Sequence, residues 1–140
     1  MGAKTLVTGI LLLVACGTLC GEPAPPPPAN IVVTISLVPG TKDTCQQVVT
    51  GSSPNDFPGV SRNRGDIVTF RGTTASGFAV QFPGSGSSLP FSKSTFHHGD
   101  KSGKATGAPN RYPYGKVTVP GPHGTVTCKN GQSMGVRIDN

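Results

Sequence analysis

A chain of 140 residues has room for one domain of ordinary size. Twenty glycines and 14 prolines argue against a helical protein, because both residues disfavour helix interiors, and favour short strands separated by turns. The formal charge of +6 comes from 12 basic and six acidic residues, but only 13% of the chain is charged. The excess is therefore spread thinly, without the tight basic cluster and interleaved aromatics of a nucleic-acid reader. The densest basic stretch, Lys93, Lys101, Lys104, Arg111 and Lys116 beside Asp100, His97 and His98, reads as a solvated loop. Outside the N-terminus no sustained 3.6-residue apolar period occurs, so the expected fold class is all-β.

Met1–Ala15 reads as a signal peptide, with Lys4 as a short positive region and Leu6–Ala15 as an apolar run too short to span a bilayer. It ends in Leu13-Val14-Ala15-Cys16, which resembles the lipobox of bacterial lipoproteins. That resemblance implies cleavage before Cys16, lipidation of Cys16, and a membrane anchor in the cell envelope, since several acyl chains together hold firmly. Ordinary cleavage near Cys20 or Gly21 is the alternative. It would release a soluble periplasmic or secreted protein and leave an even number of cysteines. Residues 16–30 form a linker whose core, Glu22–Asn30, is an extended proline-rich spacer suited to holding a domain off a surface.

The domain is expected over residues 31–140. Ile31–Val38 alternates Ile31, Val33, Ile35 and Leu37 on one face and reads as a first strand that Pro39-Gly40 ends. Cys45–Thr50 reads as a second strand, and Gly51–Pro58 as a loop. Val60–Phe82 reads as a hairpin: Asp66–Arg71 and Phe78–Phe82 are its strands, joined by the turn formers Gly72–Gly77 and entered through the tight turn at Gly65. Pro83–Asn110 is a long irregular stretch that is expected to plug Leu89, Phe91 and Phe96 back into the core. Tyr112–Val119 reads as one strand, Pro120–Gly124 as a turn, Thr125–Cys128 as a strand, Asn130-Gly131 as a tight turn, and Gly135–Asp139 as the last strand. About seven short strands at this spacing predict a Greek-key β-sandwich.

Cys45 and Cys128 stand near the two ends of this domain. In an oxidising compartment they are expected to pair as a disulfide, closing a long loop.

Arg64-Gly65-Asp66-Ile67-Val68-Thr69-Phe70 resembles the G-D-x-V-x-F strand opening of cupredoxins, Tyr112-Pro113-Tyr114 their Y-x-Y, and Gly135–Asp139 their final strand. The resemblance covers roughly Ile31–Asn140 and implies a cupredoxin-like sandwich. It does not carry over the type-1 copper ligands, two histidines, a cysteine and a weak axial methionine. No histidine lies in Arg71–Phe82, Gly115 and Lys116 follow Tyr114, and His123 precedes Cys128 rather than following it. No cofactor is therefore expected. The alternative is a small copper-binding or electron-transfer protein that uses His97, His98, His123 and Met134, with Asp100 as a further oxygen donor.

Arg64-Gly65-Asp66 spells a cell-adhesion tripeptide but is most simply the turn into a strand. The G-x-S-x-G and H-E-x-x-H motifs are both missing from the sequence, and a paired-carboxylate site has few acids to draw on, so no catalytic residues are assigned. The sequence predicts an exported, lipid-anchored, non-catalytic envelope protein of structural or binding role. Its expected partners are the membrane and an envelope protein or glycan, met through the Pro83–Asn110 loop or an exposed sheet face.

Overall fold

The computed structural model describes residues 21–140. Residues 21–29 run extended and largely exposed, as a proline run without main-chain donors must. Ten strands follow: β1 (Asn30–Leu37), β2 (Cys45–Val49), β3 (Gly59–Ser61), β4 (Ile67–Arg71), β5 (Ala79–Gln81), β6 (Thr95–His97), β7 (Asn110–Pro113), β8 (Lys116–Gly121), β9 (Gly124–Thr127) and β10 (Gly135–Asp139). The only described helical pieces are 3-10 turns at Gly86–Ser88 and Gly131–Ser133. No helix among the described residues is long and apolar enough to cross a membrane.

The strands form three open sheets, ordered β2-β1-β4, β3-β10-β7 and β6-β5-β8-β9. The first strand pairs antiparallel with β2 and parallel with β4, and the last pairs parallel with β3 and antiparallel with β7. The four-stranded sheet is antiparallel throughout. Across the interior β1 packs on β8 and β4 on β6, a sandwich-like arrangement of the first sheet over the third.

Alternation explains the core. Val33 and Ile35 of β1 are fully buried while Ile31 and Leu37 flank them half-buried, so one pleat face points inward as the sequence period requires. Val80, Val117 and Val119 answer from the facing sheet. Phe70 stacks on Phe96 with ring centroids 4.7 Å apart and meets Phe82, Phe91 and Tyr114 edge-on at 6.3–6.4 Å. Leu89, Phe91 and Phe96 are buried, so the long Pro83–Asn110 stretch is nailed to the core through its apolar side chains.

Two expectations are corrected. β4 and β5 do not form a hairpin: β4 lies in the first sheet and β5 in the third, so Gly72–Phe78 is a crossover between sheets. The turn formers Gly72–Gly77 fit a hairpin and an inter-sheet corner equally well, and the burial of Val68, Phe70, Phe78 and Phe82 between facing sheets selects the corner. Likewise Tyr112–Val119 is two strands, not one. The chain leaves β7 at Pro113, buries Tyr114, and enters β8 at Lys116 in another sheet. With the short β3 and β6, this gives ten strands rather than about seven.

Cys45 and Cys128 form a disulfide with Cα atoms 5.6 Å apart. It joins β2, an edge of the first sheet, to the residue after β9, an edge of the third, and so staples the two sheets along one side. Closing 83 residues of sequence contributes about 4 kcal/mol on chain-entropy grounds.

Candidate functional site

The side of the sandwich beside this disulfide carries an open cleft. It starts from the β8–β9 hairpin. Gly121 and Gly124 pair across the two-residue turn Pro122-His123, and Gly124 takes φ +120°, which only glycine adopts without strain. The Cys128 amide donates to the Val117 carbonyl at 2.9 Å, which fixes the phase of the antiparallel ladder. Hydrogen-bonded pairs are therefore Val117–Cys128, Val119–Val126 and Gly121–Gly124. Pro120, which has no N–H, falls opposite Thr125 in a pair that needs none.

Thr125 and Thr127 consequently turn their N–H and C=O groups away from β8. Both residues are exposed, and none of these four groups has an intramolecular partner among the described residues. The next residue in phase, Lys129, donates its amide to the Asp43 carbonyl at 2.9 Å, and its ammonium pairs with the Asp43 carboxylate at 2.5 Å. The β1–β2 turn thus reaches the β9 line at Lys129 and then diverges from it.

The divergence opens a cleft of about 390 Å³ lined by Thr41, Lys42, Pro122, His123, Gly124, Thr125 and Val126. Its lining combines the apolar Val126 and Pro122, two ionisable residues, Lys42 and His123, and the threonines Thr41 and Thr125. Thr41 is partly committed, since its hydroxyl donates to the Val38 carbonyl at 2.7 Å. A second, smaller hollow of about 160 Å³ lies on the outer face of the third sheet among Ala79, Gln81, Thr95, Lys116 and Thr118.

The candidate ligands named from the sequence are placed as follows. His97 is exposed on β6, its imidazole 3.8 Å from the Asp100 carboxylate, which also accepts from the His97 amide and from Lys93. These donors hold the Asp100 carboxyl below its usual range, the His97 amide bond first and the Lys93 bond second. His98 follows at the end of β6, where its Nδ1 accepts from the Gly72 amide at 3.3 Å and its ring stands edge-on to Phe78. His123 sits in the β8–β9 turn within the cleft, and Met134 is fully buried in the core. Among the described residues no three His, Cys, Asp or Glu side chains gather in a way that could hold a metal ion. Cys16, with the signal peptide and Cys20, lies outside the described residues.

Two polar centres that resemble sites are framework. Asp66 is buried and accepts from Arg64 Nε and Nη2 at 2.5–2.6 Å, and from the amides of Ala29 and Ser61. The Arg64 bonds lead in drawing its pKa down to about 2, against the opposing effect of burial. Arg64-Gly65-Asp66 is thus a clamp that fastens the end of the proline spacer to β3, with Gly65 at φ +76°. Gln47, pointing inward from β2, accepts from the Tyr114 hydroxyl at 2.6 Å and donates to the Asp56 and Gly135 carbonyls. Burial pushes the Tyr114 hydroxyl's pKa well above its ordinary value. The described structure leaves no buried side-chain polar atom unpartnered. Gln47 and the Lys42–His123 cleft are not legible in the sequence: Gln47 is the second of two adjacent glutamines in β2, with nothing to mark it as the inward one, and no sequence signal marks the cleft.

Compared with known proteins, the chain matches no family model, and no curated protein or solved structure is significantly similar to it.

Proposed function

We propose that this chain is an exported, non-catalytic protein of the bacterial cell envelope, lipid-anchored at Cys16. In this reading its 31–140 domain is a Greek-key, cupredoxin-like sandwich without copper ligands, and its role is to bind a partner. The observation that carries the binding role is the cleft beside β9, where apolar residues, the Lys42 ammonium and the His123 imidazole lie next to the outward main-chain groups of Thr125 and Thr127, which have no partner among the described residues. The Cys45–Cys128 disulfide supports a non-cytoplasmic compartment, since such bonds persist where thiols are oxidised. The exposed proline spacer, fastened at its end by Asp66, suits a domain carried at a distance from an anchoring surface.

Membrane fractionation of a Cys16→Ser variant tests the anchor. The wild type is expected in the membrane fraction and the variant in the soluble one; unchanged membrane association contradicts the assignment. Copper titration of the oxidised protein tests the rival metal-carrier reading. No saturable binding is expected, and one-to-one binding lost in His97→Ala or His123→Ala would replace the present reading with that one.

A further inference from the structure

We propose that β9 is a strand-addition site, where an extended, carboxylate-bearing peptide segment bonds to the Thr125–Thr127 main chain with its acidic side chains against Lys42 and His123. The inference rests on the binding role proposed above and names the partner's chemistry and the way it is held.

An exposed sheet edge presents unpaired N–H and C=O groups, and proteins ordinarily blunt such edges. This one does so at its other edges. On β2 the Asn130 side chain accepts from the Cys45 amide and donates to the Cys45 carbonyl, and Asn55 bonds both the Gln47 amide and carbonyl. On β4, Gly99, Asp100 and Ser102 take up both outward groups of Phe70 and of Val68. The outward amide of Arg111 on β7 bonds the Asn110 side chain, and Pro113 has no amide to offer. Ser61 on β3 is covered by Asp66, and His97 on β6 by Asp100. Among the described edges, β9 alone has two successive outward residues with all four groups free.

The site is already used once by the chain itself. Lys129, next in the same line, bonds the backbone of Asp43, so a segment lying along β9 would continue a ladder that the β1–β2 turn begins. The cleft between that turn and β9 is the space such a strand would enter. Main-chain bonds of this kind hold a peptide with little regard to its sequence, and side chains at alternate positions select it.

Charge selects the occupant. The cleft's ionisable side chains are Lys42 and His123, the nearby Lys129 is already neutralised by Asp43, and the whole chain carries +6. A second copy docked edge to edge would bring the same Lys42 ammonium and the same net positive charge against these. An acidic segment would meet them with opposite charge.

The probe is a short labelled peptide of alternating valine and glutamate, titrated into the oxidised protein at low salt, with a valine–lysine peptide as control. Saturable binding of the glutamate peptide alone is expected, weakened by added salt and by Lys42→Glu with His123→Glu. Thr127→Pro removes one outward amide without touching the β8 ladder, and about a tenfold or greater loss of affinity is expected. Alternate N-methylation of the glutamate peptide should do the same with the wild-type protein, whatever the variant does to folding. Binding that survives both changes overturns strand addition while leaving the cleft as a binding site. Failure of the glutamate peptide to bind, or equal binding of the lysine peptide, overturns the proposed partner chemistry. A concentration-dependent dimer abolished by Thr127→Pro would make a second copy the occupant and overturn the acidic one.

Discussion

β2 and β9 are both edge strands, tied together by the Cys45–Cys128 disulfide, yet their outward backbone groups are treated in opposite ways. Along β2 the Asn130 side chain imitates a neighbouring strand at Cys45, and the Asn55 side chain and main-chain amide do so at Gln47. Along β9 nothing among the described residues does so at Thr125 and Thr127. Composition does not separate the two, since both are short and mix apolar with polar residues. What separates them is the neighbouring chain: Asn55 and Asn130 are positioned beside β2, Asn55 by a left-handed φ of +64° that asparagine tolerates well. An edge closed by side chains belongs to the framework. An edge left open beside a cleft that carries the Lys42 ammonium is available to a partner.

The comparison predicts an ordered series of stability effects. Replacing Cys45 and Cys128 by alanine removes the staple between the two edges and should lower unfolding free energy by about 4 kcal/mol, read by denaturant titration. Tyr114→Phe leaves the buried Gln47 Oε1 without its donor, and a loss of about 1–3 kcal/mol is expected in the same assay. Asn130→Ala uncovers the Cys45 amide and carbonyl on the β2 edge, at about 1–2 kcal/mol.

Asp66 adds a pH signature to the closed part of the framework. Its folded pKa, about 2, lies below the unfolded value near 4, so the stabilisation is complete above about pH 4 and is lost as pH falls toward 2. With Arg64 a third open to water, the loss should amount to about 1–2 kcal/mol, and Asp66→Asn should flatten that part of the profile. The smallest effect belongs to the open edge. Thr127→Pro should change stability by no more than about 0.5 kcal/mol, because the amide it deletes bonds nothing among the described residues. A cost like that of Asn130→Ala would show that β9 is framework too.

Much of the fold was legible in the sequence. Alternation in Ile31–Leu37 located β1 and its inward face, the Gly65-Asp66 turn preceded β4, and the two late cysteines identified their own pairing. The sheet assignments were not legible. Gly72–Gly77 and Tyr114-Gly115 carry the chain between sheets, and turn residues report that a strand ends without reporting where the next one pairs. The candidate site was still less visible. His97, His98 and His123 stood out as residue types, but the free groups on β9 are main-chain atoms that any residue carries. Their availability depends on the ladder phase set by Cys128 and Val117 and on the path of the β1–β2 turn.

Amide hydrogen exchange on the oxidised, isotope-labelled protein tests the contrast between the two edges most directly. The amides of Cys45 and Gln47 should be strongly protected, while those of Thr125 and Thr127 should exchange close to the rate of an unstructured chain. Protection of Thr125 and Thr127 equal to that of Cys45 and Gln47 would contradict the account.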